Sequence, residues 1–96
     1  MTLSKEESYC RVCGLYQGVE GVRTQSGRAT YFICDCCGSE FGNDDKEENI
    51  KECRKKWLYE KDAKWCYPKA QPENWSLCEQ LKNIPNKFQD EWLKKL

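Results

Sequence analysis

The sequence predicts a small α+β protein, a zinc ribbon followed by C-terminal helices. Three observations carry that expectation: two matching CxxCG knuckles, a β-branched and aromatic run between them, and a second half with helical periodicity. Cys10 and Cys13 are followed by Gly14, and Cys34 and Cys37 by Gly38, with twenty residues between Cys13 and Cys34. Two residues between thiols let one tight turn aim both sulfurs at one point, and a following glycine permits a positive φ. Two such turns close a tetrahedron, the arrangement of a structural zinc ion, at a spacing of about fifteen to twenty residues between pairs.

Between the knuckles, "ATYFIC" (29–34) is rich in strand formers, and Ser26-Gly27 supplies a turn signal suited to a hairpin. Residues 1–42 thus form the expected ribbon with a short antiparallel sheet. Residues 43–65 read as a helix: Asn43, Asp44 or Asp45 can cap it, Glu47 and Glu48 suit its positive end, and Ile50, Cys53, Trp57 and Leu58 recur on one face. Pro68 and Pro72 mark 66–75 as an extended linker. In 76–96, Ser76 and Glu79 match a capping box, Leu77, Leu81 and Ile84 give a short amphipathic helix, and Phe88, Trp92 and Leu96 mark a last one. The whole is one domain.

Composition points to a support besides apolar burial, part of it from Trp57, Trp65, Trp75 and Trp92. A chain of 96 residues buries only about 60 to 70% of its unfolded surface, and a hydrophobic content of 39% beside 33% charged residues makes for a thin core. Eight cysteines fill the gap. The start "MTLSKEESYCRV" has no apolar core of a signal peptide, and no run reaches the about eighteen apolar residues of a membrane span, so the cytoplasm is the expected compartment. There, paired cysteines serve as metal ligands rather than disulfides.

One structural Zn²⁺ on Cys10, Cys13, Cys34 and Cys37 is therefore the expected cofactor, with a single iron on the same thiolates, or free thiols, as the alternatives. Cys36 falls inside the second turn as a spectator, and Cys53, Cys66 and Cys78 form no further knuckle. The chain has no histidine, which removes every mixed Cys/His site and every His-based acid–base mechanism. With four protein ligands no position is left for a catalytic water, and no phosphate loop or nucleophile motif occurs; no enzymatic activity is expected.

Net charge is zero but unevenly spread, with five basic and nine acidic side chains in 1–49 and eleven and seven in 50–96. Four thiolates on one Zn²⁺ make the first half about two units more negative again. This argues against a nucleic-acid grip by the ribbon. An acidic face at Glu40, Asp44, Asp45, Glu47 and Glu48, joined by Trp57 and Trp65, is the expected partner-binding surface. The competing reading is a nucleic-acid-binding ribbon in which Lys51, Arg54, Lys55 and Lys56 meet phosphates while Trp57 and Trp65 stack on bases. A third is a rubredoxin-like iron electron carrier.

The segments "YCRVCG", "YFICDCCGSEFGNDD", "RKKW" and "AKWCYPKAQPENWSLCEQLKNIP" together resemble a family of small bacterial proteins of the cysteine-rich "CPCC" type. In that family a ribbon ending ICPCCGxEFGxDD precedes a WxxPKxxPxxWxxxxQLxNIP tail. The resemblance spans nearly the whole chain; Asp35 stands where the family usually has proline, which loosens the turn and leaves the ligands in place. Such genes resemble, and often accompany, immunity genes beside bacterial toxin modules. The resemblance thus implies a non-enzymatic immunity protein that binds and neutralises a cognate toxin domain; a nuclease toxin's basic groove would suit the acidic face.

Overall fold

The computed structural model describes residues 7–96. The two knuckles are built alike. Cys10 N donates to Leu15 O at 2.9 Å and Gly14 N to Cys10 O at 3.0 Å; Cys34 N donates to Ser39 O and Gly38 N to Cys34 O, both at 2.9 Å. Single antiparallel bridges flank them at equivalent positions, Tyr9 with Tyr16 and Ile33 with Glu40. Each loop thus reverses the chain about a pair of thiols, and Gly14 and Gly38 occupy the same left-handed conformation, φ +86° and +79°.

The expected β-hairpin and sheet do not form. Among the described residues there is no β-strand, only four isolated antiparallel bridges, so the zinc-ribbon architecture with its sheet is not what the chain adopts. The turn at Ser26 and Gly27 is present, with Gly27 N on Thr24 O at 2.8 Å, but only the Arg23–Ala29 bridge follows from it. Two residues explain the loss. Glu20 and Tyr31 have positive φ, 57° and 61°, a conformation that breaks an extended run for any residue with a Cβ. Tyr31 lies in the middle of "ATYFIC", and Tyr31, Phe32 and Ile33 are all exposed instead of alternating into a core.

Helix α1 spans Glu47–Lys55, shorter than the expected 43–65. Glu47 and Glu48 lie in its first turn and Arg54 and Lys55 in its last, matching the helix dipole. None of the expected caps is used: Lys46 holds the N-cap position without a side-chain bond. The Asp44 carboxylate instead accepts from Glu40 N at 2.9 Å, and that of Asp45 from Arg23 and Gly42 N. A π-helical turn, Lys56–Glu60, continues α1 until Asp62 and Ala63, both at positive φ, end it. The widened turn brings Ala63 N to Trp57 O at 2.8 Å and lets the Trp57 indole donate to Lys64 O at 2.9 Å.

The expected linker contains a 3-10 turn, Pro68–Ala70, and then α2, Leu77–Leu81, begins. Its capping-box reading holds on one side: Ser76 Oγ accepts from Glu79 N at 3.3 Å, while the Glu79 carboxylate turns to Lys82. No last helix forms. Short 3-10 turns, Asn86–Phe88 and Leu93–Lys95, take its place, and they bury Phe88 and Leu93 while Trp92 and Leu96 stay exposed. The core is one cluster in which Val12, Val22, Phe41, Ile50, Trp57, Leu81 and Ile84 surround the knuckle cysteines. No described helix is long and apolar enough to cross a membrane; residues 1–6, part of the start on which the cytoplasmic expectation rests, lie outside the described chain.

Candidate metal centre

The two knuckles face each other and interleave their thiols. Cys10 Sγ lies 3.6 Å from Cys37 Sγ and Cys13 Sγ 3.6 Å from Cys34 Sγ, and all four sulfurs fall within 4.8 Å of one another. A tetrahedral zinc with Zn–S bonds of about 2.3 Å sets its sulfurs about 3.8 Å apart, a value inside that range. All four cysteines are buried. The quartet could hold a metal ion, and the fit is made by donor type and spacing together.

Burial governs the ionisation of the thiols. Removal from water pushes Cys10 and Cys13 well up, because a desolvated thiolate is unfavourable. Hydrogen bonds from Cys10, Cys13 and Cys37 act the opposite way on Cys34 and hold it far below the usual thiol range. A divalent cation changes this balance, since coordinated thiols are deprotonated outright.

Polar groups surround the sulfurs. Gln17 Nε2 donates to Cys34 Sγ at 3.2 Å and Val12 N to Cys10 Sγ at 3.4 Å, while the Cys37 thiol donates to Ser39 Oγ at 3.3 Å. Such contacts orient thiolate ligands and spread their charge. Gln80 reaches in from α2: its Nε2 donates to Cys13 O at 3.2 Å and to Cys36 Sγ at 3.3 Å, and its Oε1 accepts from Trp75 Nε1 at 2.7 Å. Cys36 is thus neither a ligand of the quartet nor a surface residue; it is fully buried and anchors α2 over the second knuckle.

The first knuckle is clamped by Arg54. This arginine, fully buried near the end of α1, donates from Nε to Val12 O at 2.8 Å and from Nη2 to Arg11 O at 2.7 Å and Phe88 O at 2.8 Å. Its Nη1 lies 3.1 Å from Asp90 Oδ2, an ion pair whose alignment falls short of a hydrogen bond. One guanidinium so joins the knuckle, α1 and the C-terminal segment. Burial pulls its pKa down and the Asp90 carboxylate opposes that pull. A second network lies beside it: Arg23 grips Asp45 with two bonds of 3.0 Å, and Arg11 pairs with Glu7 and donates to Asp45 O at 3.2 Å.

The expected partner surface is divided by this arrangement. Asp44, Glu47 and Glu48 are exposed and Glu40 is half-buried. Asp45 has no exposure and serves the Arg23 pair, so it is not a surface acid. Trp57 is 2% exposed and Trp65 6%, the latter edge-on to Trp75, which removes both from any partner or base-stacking role. Arg54 likewise leaves the expected basic edge for the interior. Sequence reading missed Gln17, Ser39, Gln80 and the clamp role of Arg54; for Gln80 and Arg54, polar residues on helices, nothing in the sequence marks a partner dozens of positions away.

No family model matches this chain, and neither a curated protein nor a solved structure is similar to it.

Proposed function

We propose that the protein is a non-enzymatic module built on one structural Zn²⁺, that it acts by binding a protein, and that its partner is a toxin domain with a basic surface, which it neutralises. The carrying observation is an exposed apolar ridge with an acidic margin. Tyr31, Phe32 and Ile33 are more than half exposed, and the backbone pairs Tyr31 N with Phe41 O and Phe41 N with Phe32 O, each at 3.0 Å, while Ile33 bridges to Glu40. The ridge therefore lies directly against the loop bearing Glu40 and Asp44. Aromatic anchors rimmed by charge are the composition of a protein-binding surface, and the acidic rim selects a basic partner by complementarity.

Zinc supports the reading as the framework of that surface. Four protein thiolates fill a tetrahedron and leave no open coordination position, so the ion's contribution is to folding. The nucleic-acid alternative loses its stacking residues, because Trp57 and Trp65 are interior.

The test is growth rescue. Co-expression with the toxin encoded beside its gene restores growth, and Phe32→Asp together with Ile33→Asp abolishes the rescue while the purified variant keeps its metal and its circular dichroism. A toxin that remains fully active with this protein in excess refutes the proposal.

A further inference from the structure

We propose that Cys37 and Cys66 form an oxidisable thiol pair at the mouth of the metal centre, a modification site for hydrogen peroxide whose oxidation withdraws one of the four ligands. This rests on reading the quartet as a metal site. The first observation is unequal access. Cys10, Cys13 and Cys34 have no exposure, whereas Cys37 keeps 6% and lines two surface clefts. Within the quartet, Cys37 is thus the member nearest to a small oxidant that enters from solvent.

The second observation is a neighbouring thiol on each side. Cys66 shares the first cleft with Cys37, and Cys53 shares the other. They differ in availability. The Cys53 thiol donates to Asp44 O at 3.3 Å and is half-buried, while Cys66 is exposed. Cys66 is also held in place: its N–H donates to Cys36 O and that of Tyr67 to Asp35 O, both at 2.8 Å. The two backbones run in direct contact one peptide unit from Cys37. Gly38 lies against this thiol; a Cβ there would stand 3.4 Å from Cys66 Sγ. Cys36, though adjacent in sequence, is sealed under Gln80.

The chemistry balances with peroxide alone. The Cys37 thiolate attacks one peroxide oxygen, the O–O bond breaks, and Cys37 sulfenic acid and hydroxide result. The Cys66 thiol then attacks that sulfur and expels the oxygen as water, its own proton leaving with it. Two sulfurs lose one electron each, one peroxide gains two, and the quartet is left with three thiolates. Reduction of the disulfide by a dithiol restores the fourth.

The test uses the purified full-length protein exposed to hydrogen peroxide, with metal release followed by a chromogenic chelator and disulfides mapped by fragmentation mass spectrometry. The expected first product is a Cys37–Cys66 disulfide, formed together with metal release and reversed by dithiothreitol plus zinc. In Cys66→Ser the oxidation of Cys37 stops at the sulfenic acid, so that a dimedone adduct collects on Cys37 and dithiothreitol-reversible disulfide is lost, while Cys53→Ser behaves as wild type. The proposal is overturned if the first disulfide joins two members of the quartet or uses Cys53 or Cys36, or if Cys66→Ser collects no dimedone adduct on Cys37. Metal content measured before oxidation reports on the centre separately, and the disulfide map decides the pairing with or without a metal.

Discussion

The two knuckles share one backbone geometry and the touch of Gln80, and differ in most of what else holds them. The first, Cys10 to Gly14, is fully enclosed: Arg54 binds two of its carbonyls, Gln80 binds a third, and Gly14 packs against the backbone of α2. The second, Cys34 to Gly38, is tied mainly by two backbone hydrogen bonds from Cys66 and Tyr67 and opens to solvent at Cys37. The four sulfurs look alike; their surroundings do not. The C-terminal half of the chain thus reaches both knuckles, the first through the buried side chains of Arg54 and Gln80 and the second through backbone bonds and Gln80, and it leaves Cys37 the least buried of the four cysteines.

The largest expected effect comes from removing what the two knuckles have in common. Withdrawal of the metal by a chelator costs on the order of 10 kcal/mol and unfolds the chain, read as collapse of the near-ultraviolet circular dichroism. A chelated protein with an unchanged spectrum would mean that the apolar core suffices by itself.

Next is Arg54→Met, which breaks the clamp on the first knuckle only. It leaves three buried carbonyls and Asp90 without their partner and destabilises the metal-loaded protein by about 3 to 5 kcal/mol in denaturant unfolding. A loss below about 1 kcal/mol would show that the guanidinium is incidental and the asymmetry of the knuckles superficial.

The glycines give the finest comparison. A Cβ at Gly14 would lie 2.2 Å from Gln80 O, backbone against backbone, on top of a positive φ; at Gly38 the nearest atom is 3.4 Å away and only the backbone strain remains. Gly14→Ala is expected to cost about 3 kcal/mol and Gly38→Ala about 1 kcal/mol. Equal losses from the two would erase the difference drawn between the knuckles.

The quartet was legible in the sequence because a CxxCG turn is a local object: residue type and spacing specify both the thiol pair and its glycine. The charge pattern of α1 was legible in the same way, through Glu47, Glu48 and the basic residues at its far end, whereas the expected start and caps at Asn43, Asp44 or Asp45 were not used. The sheet was not. Strand propensity in "ATYFIC" describes fitness for a half-buried pleated surface, and without a neighbour to cover it the segment turns through Tyr31 and stays outside. Arg54 was equally hidden: it reads as part of a solvated basic edge, and only carbonyls 34 to 43 positions away make its burial tolerable. Phe88 kept its place in the core, but Leu93 rather than Trp92 followed it, because the last segment folds as tight 3-10 turns and its period is shorter than a helix's.

The most direct test of a four-thiolate structural centre is X-ray absorption at the zinc edge on protein purified without added metal. The account predicts one zinc per chain with four sulfur neighbours at about 2.3 Å and no lighter ligand. Protein that carries no ion yet keeps its fold, or a zinc bound through nitrogen or oxygen, would contradict it.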